Sequence, residues 1–150
     1  MRIRCTSASA PRRVGRDERA SDCGSSAARP EGAWSAATPT SGTPTEAFIF
    51  YPGANVDERA YSKMCRNIAA AGYLVALVPM PDWMAIYGTN RADAVISNHP
   101  AITRWSIGGH SFGAVNACWY VTGTGFLTGP GVNQDKINNV VLLAGYPNLT

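Results

Sequence analysis

Gly109-His110-Ser111-Phe112-Gly113 is the stretch of this chain best equipped for chemistry. It sets a serine hydroxyl between two glycines in the pattern G-x-S-x-G. Trp105-Ser106-Ile107-Gly108 runs into it like a short buried strand, and Ala114 to Tyr120 leaves it like a helix. A serine on so tight a strand-to-helix turn takes a strained backbone conformation, and flanking glycines remove the clashes that Cβ atoms would make. Such a turn holds the hydroxyl clear of the sheet, beside a helix N-terminus whose free amides can stabilise an oxyanion. Nucleophilic attack by Ser111 on an acyl carbon is the chemistry that suits this arrangement.

The elements needed to position that turn can be read on either side of it. Ala47-Phe48-Ile49-Phe50-Tyr51 is a continuous apolar run stopped by Pro52-Gly53, as expected of a strand ending in a turn. Asp57 can cap a helix in which Tyr61, Met64, Ile68 and Ala71 recur at helical spacing, with Gly72 closing it. Tyr73 to Val78 reads as a second strand, ended by Pro79-Met80-Pro81. A short helix is expected from Arg91 to Ser97, opened by Thr89 or Asn90. After the Ser111 turn and its helix come a Gly-rich loop, Gly123 to Asn133, and a fourth strand, Val140 to Ala144. The strands are apolar at successive positions, as strands buried on both faces are. The fold class is therefore α/β, a mostly parallel sheet with helices on both faces. Right-handed crossovers then bring the turns after Tyr51, Val78, Gly108 and Ala144 to one edge of the sheet, the usual ligand edge.

Charge divides the chain at about residue 45. Residues 1–45 hold seven arginines against four carboxylates, whereas the remainder balances six basic with six acidic groups. Beyond residue 45 no basic field exists to attract nucleic acid or an anionic membrane. Residues 1–45 are rich in Arg, Ser, Ala and Pro and poor in large apolar side chains, so a disordered extension is expected there, with the folded domain at 46–150. Met1 to Ala10 lacks the apolar segment of a secretory signal, and no run of about 18 apolar residues could span a membrane. A cytoplasmic protein is expected; the Arg and Ser content of the extension also fits, loosely, an import peptide for a plastid or mitochondrion. Cys5, Cys23, Cys65 and Cys118 form no C-x-x-C and have no histidine at metal-ligand spacing, so reduced thiols and no bound metal are expected.

Phe50-Tyr51-Pro52-Gly53-Ala54, Ala71-Gly72-Tyr73, Val78-Pro79-Met80-Pro81 and Gly108 to Gly113 together resemble the α/β-hydrolase superfamily, in particular its fold-5 branch, over about residues 46–149. The resemblance implies part of a three-layer sandwich whose four strands correspond to the third through sixth of an eight-stranded sheet. It implies Ser111 as nucleophile and the Phe112 backbone N–H as one oxyanion donor. The second donor would come from the turn after the first strand, at Ala54 or Gly53. The implied activity is that of a serine esterase on small ester-like substrates, through an acyl-enzyme and without a cofactor.

The same resemblance calls for a histidine, oriented by Asp or Glu, after the serine in chain order. No histidine follows Ser111. His110 neighbours Ser111 in the turn, so its side chain should point elsewhere. His99 precedes the Trp105 strand, roughly 15–20 Å from Ser111 at strand rise, and reads as a solvated loop residue. Asp135 is the one carboxylate after Ser111 but precedes the fourth strand, on the wrong edge. Asp82 follows the second strand on the correct edge, two strand positions from the serine, where capping the Pro81 turn is its expected role. The Val140 strand would be a bare apolar edge, so Thr150 reads as a truncation point and the chain as given as incomplete for catalysis. The alternative is a non-catalytic binding module, a pseudoenzyme or a subunit completed by another chain. Nucleotide binding is disfavoured, because Gly123 to Gly129 has the wrong spacing for G-x-G-x-x-G and follows a helix. Tyr51, Met80, Trp83, Met84 and Phe126 are candidates for an apolar acyl pocket, although core packing accounts for such residues equally well.

Overall fold

Alternation along two apolar strands decides the layering. In β3 (Glu46–Tyr51) the pleat sends Ala47, Ile49 and Tyr51 to one face and Phe48 and Phe50 to the other, and in β4 (Leu74–Leu77) Leu74 and Ala76 oppose Val75 and Leu77. Both faces must therefore be covered. The computed structural model describes residues 4–8, 34–39, 42–125 and 127–147. On one face α1 (Ser62–Ala70) packs Cys65 and Ala69 against Phe48, Phe50, Val75 and Leu77. On the other, α2 (Ala92–Asn98) and α3 (Phe112–Thr122) contribute Val95, Ile96, Ala117 and Tyr120 to a core with Ile49, Leu74 and Ile107.

Six strands are described, in the order β1-β2-β4-β3-β5-β6. β5 (Arg104–His110) and β6 (Ile137–Leu143) complete a parallel block with β3 and β4. Two antiparallel strands extend it: β2 (Trp34–Thr38) pairs with β4, and β1 (Arg4–Ala8) pairs with β2. The sheet is thus mixed, with helices on both faces, as expected. From β3 the chain steps to β4 on one side, then crosses back to β5 on the other. The reversal places a topological switch point at the C-terminal ends of β3 and β5, where open α/β sheets form their ligand crevice.

The expectation of a disordered extension through residue 45 is corrected at two segments. Trp34–Thr38 is a strand because the edge of β4 has amides and carbonyls that need partners, and Arg4–Ala8 pairs in turn with the edge that Trp34–Thr38 presents. Trp34, 2% exposed, adds its indole to the core. The rest of residues 1–33, including Cys23, lies outside the described residues. The helix expected from Arg91 is α2, but neither Thr89 nor Asn90 caps it: a 3-10 turn, Thr89–Arg91, precedes it, and Thr89 is buried. Ala71, expected on the apolar face of the first helix, is its exposed C-cap. Among the described residues no helix is long and apolar enough to cross a membrane.

Two outcomes follow from the core. Trp34→Ala should cost about 3–5 kcal/mol in urea denaturation of the full chain, the range for a buried Trp; a loss below about 1 kcal/mol would detach β2 from the core. Burial pushes the Cys65 thiol from 9.0 up to about 11. The native state then holds a proton that the unfolded state releases between these values, so stability attributable to this group is intact below pH 9 and declines toward pH 11. Cys65→Ala should remove that alkaline loss, read as denaturation midpoint against pH.

Candidate active site

The Ser111 turn is built at the switch point by backbone contact. Tyr51 of β3 pairs with Gly109 of β5. A Cβ on Gly109 would lie 2.5 Å from the Gly113 carbonyl carbon and 2.6 Å from the Tyr51 oxygen. One on Gly113 would lie 2.3 Å from the Pro52 oxygen and 2.4 Å from that of Tyr51. Only glycine lets the start of α3 approach the end of β3 so closely. Ser111, between them, has φ 52° and ψ −122°. Its amide donates to the Leu143 carbonyl at 2.8 Å, and its own carbonyl accepts from Ala114 and Val115 at 3.0 and 3.4 Å. Residue 111 is exposed, and its hydroxyl hydrogen-bonds to none of the described residues.

Strain collects along this edge. The non-glycine residues with positive φ among those described are Asn55, Asp82, Trp83, Ser111 and Ala144, and each lies in a turn that follows a parallel strand. Residues held this way cost about 1–3 kcal/mol each and cluster at ligand clamps and active sites. Asp82 was expected to cap the Pro81 turn. Instead its side chain makes no capping bond, and its backbone takes φ 48°, a conformation Asp tolerates better than most residues.

The turn after β3 distributes its amides unequally. Gly53 N–H donates to the Tyr61 hydroxyl at 3.2 Å, and Asn55 N–H to the Trp83 carbonyl at 2.9 Å. The Ala54 amide between them has no acceptor among the described residues, and neither does the Phe112 amide in the first turn of α3, where helix donors go unpaired. Of the two expected positions in this turn, then, Gly53 is engaged and Ala54 is free.

A buried polar chain fixes the same turns from below. Tyr51 Oη donates to the Thr89 carbonyl at 2.5 Å and accepts the Ala92 amide at 3.1 Å. Thr89 Oγ1 donates to Asn116 Oδ1 at 2.9 Å, and Asn116 Nδ2 to the Phe112 carbonyl at 2.8 Å. Burial raises the Tyr51 hydroxyl far above its usual range, so it stays protonated and serves as a strut. It is therefore core, not pocket lining. Met80 is also buried, Trp83 is half exposed, and Phe126 lies outside the described residues. None of these links was apparent in the sequence, because Thr89, Asn116 and Tyr51 are far apart along it.

Neither histidine faces Ser111. His110 Nδ1 is 3.0 Å from the Tyr61 hydroxyl. His99 closes α2, its Nδ1 2.9 Å from the Val95 carbonyl, and its ring lies near those of Trp34 and Trp105. It is partly buried, not the solvated loop residue expected, because two tryptophans converge there. Asp135 sits at the start of β6, on the far edge. The carboxylate overlooked in the sequence is Asp93, which accepts from Tyr120 Oη at 2.8 Å and from the Val132 and Asn133 amides at 3.1 and 2.9 Å. It anchors the Gly-rich loop.

A family model described as the alpha/beta hydrolase family matches residues 47–150, almost the span over which the motifs show that resemblance. The chain belongs to the α/β-hydrolase family. Solved structures of the same fold include native esterase 2 of Thermogutta terrifontis (TM-score 0.61, 15% identity, 75% of this chain and 48% of that one). The sarin-phosphonylated form of that esterase aligns with TM-score 0.59 at 13% identity, over 75% of this chain and 49% of the other. A bacterial heroin esterase aligns with TM-score 0.53 at 22% identity, over 66% and 37%. This hydrolase-family chain thus spans about half the length of the T. terrifontis esterase. No curated protein matches it.

Gly113→Ala should destabilise this chain by about 1–3 kcal/mol, the range for overpacking a close contact, as read by thermal or urea unfolding. An unchanged midpoint would mean that the turn after β3 yields freely.

Proposed function

We propose that this chain carries the nucleophile and oxyanion hole of a serine esterase. The observation that carries the reading is the pairing of an exposed, strained Ser111 with two unsatisfied amides, those of Ala54 and Phe112, at the switch point of a sheet from a hydrolase family. Ser111 Oγ attacks the carbonyl carbon of a small ester, and the carbonyl oxygen takes the electron pair as an oxyanion held by the two amides. Collapse expels the alcohol and leaves an acyl-enzyme, which water hydrolyses. Family esterases support the substrate class, among them one recorded with bound butyrate.

The proton of Ser111 needs a base, and His110 and His99, the two histidines of the sequence, are both engaged elsewhere. On this reading the base is a group other than these two histidines as they are engaged here. That same observation favours a second reading, an α/β-hydrolase-like module that binds a ligand without turning it over.

A fluorophosphonate probe separates the two, the choice of reagent following from a structural relative that is phosphonylated by sarin. The full chain should be labelled, Ser111→Ala should not, and added imidazole should accelerate labelling by acting as a diffusible base. Equal labelling of both proteins would remove Ser111 as nucleophile. No labelling of folded protein, with or without imidazole, would favour the binding module.

A further inference from the structure

We propose that Tyr61 is a positioning residue, whose hydroxyl ties the turn bearing one oxyanion donor to the turn bearing Ser111. Three groups meet at this phenol. Gly53 N–H donates to it at 3.2 Å, and His110 Nδ1 lies 3.0 Å away. Gly53 itself abuts the imidazole, since a Cβ there would fall 2.9 Å from Nδ1 and 3.3 Å from the phenol oxygen. Tyr61 in turn is seated by its ring, which packs on Phe50 of β3 at a centroid distance of 4.8 Å. The hydroxyl therefore spans residue 53, one position before the free Ala54 amide, and residue 110, one position before Ser111.

The proposed bridge has a direction. A phenol has one proton and accepts through its oxygen. The Gly53 amide donates to that oxygen, and in the proposed bridge the Tyr61 proton is directed to His110 Nδ1. In this direction His110 Nδ1 is the acceptor of the Tyr61 hydroxyl. Two consequences for the site follow. The Gly53 amide is consumed, so Ala54 alone presents a donor from this turn. The separation of the Ala54 and Phe112 amides is also held by a side-chain strut in addition to the backbone contacts of Gly113. The consequence for catalysis rests on the reading of Ser111 as nucleophile, whereas the bridge itself does not.

The test uses the full chain and two kinds of readout. Tyr61→Phe keeps the ring on Phe50 and deletes only the hydroxyl. Hydrogen exchange at the Gly53 amide should accelerate by about two- to tenfold, the equivalent of one neutral hydrogen bond, and the imidazole nitrogen shifts of His110 should lose the single-tautomer pattern. His110→Asn, whose Oδ1 can replace Nδ1 as acceptor, should keep the Gly53 amide protected where His110→Ala does not, a comparison that holds if Tyr61→Phe folds poorly. With the fluorophosphonate probe, Tyr61→Phe should lower the limiting labelling rate about tenfold or more, by analogy with loss of an oxyanion donor, and leave the concentration for half-saturation unchanged. Unchanged Gly53 exchange and His110 shifts would overturn the bridge. Changed exchange with an unchanged limiting rate would overturn the positioning role and leave Tyr61 structural. Failure of wild-type labelling at Ser111, with the exchange and tautomer effects intact, would instead overturn the nucleophile reading and the positioning role together, while the bridge stands.

Discussion

Backbone-to-backbone contact between the end of β3 and the start of α3 is the constraint from which the rest of this structure follows. Adjacent parallel strands leave their C-terminal turns about one strand spacing apart, and a helix leaving one turn normally clears the other by the thickness of a side chain. Here Gly109 and Gly113 remove that thickness, with the Tyr51 and Pro52 carbonyls where their Cβ atoms would be. The two turns are brought close to one another as a result. The serine between the glycines links strand to helix at that distance with φ 52°.

Such closeness has to be enforced. The five positive-φ side-chain residues along this edge, at about 1–3 kcal/mol each, represent strain comparable with the whole net stability of a domain, roughly 5–15 kcal/mol. Each turn is correspondingly over-determined. The Ser111 amide is tied to Leu143, Asn55 to Trp83, and the first turn of α3 to Asn116. Through Asn116 and Thr89 the tie continues to Tyr51, which also belongs to the strand the glycines touch. Tyr51, Thr89 and Asn116, all fully buried, are hydrogen-bonded to one another or to backbone, so their desolvation is offset where an orphaned group would cost about 1–3 kcal/mol. The two apolar layers supply the stability; the polar chain determines the geometry in which it is used.

What the sequence conveys is whatever local physics repeats along the chain. Apolar runs at Ala47–Tyr51, Tyr73–Val78 and Val140–Ala144, the glycines at 109 and 113, and Gly72 as a stop sufficed to place the parallel strands, their helices and the shared edge of the turns. The order of β4, β3 and β5, with Asp82 two positions from the serine strand, was implied by the family resemblance and matches the sheet. Pairings over long separations left no such trace. Thr89 resembles a helix cap until Asn116 is found beneath it, and Asp93 resembles any first-turn acid until the loop at Val132 is folded onto it. Trp34 lies in a segment whose composition argues for disorder, since one indole hardly alters an average over 45 residues. Tyr61 was visible only as an apolar helical position, because its ring does pack on Phe50; that its hydroxyl reaches Gly53 and His110 depends on the β3 turn folding back over the helix.

On the proposed reading, this fold divides catalytic labour between backbone and side chains, and the chain holds the backbone share. Oxyanion donors are amides, fixed once the strands pair and the glycines allow the turns to meet, and the loss of one typically costs about 2.7–4 kcal/mol of transition-state stabilisation. Proton transfer needs a side chain with a suitable pKa, and both local histidines are engaged in structural bonds. These two shares are separable in principle: serine hydrolases stripped of triad members keep a residual acceleration of roughly a thousandfold or more from binding and the oxyanion hole alone. On the proposed reading, amides already in place make a preorganised electrostatic site, whatever supplies the base. That is also why His110 matters despite being unable to serve as the base. Joined to the Tyr61 hydroxyl, it steadies the turn that provides one of the amides.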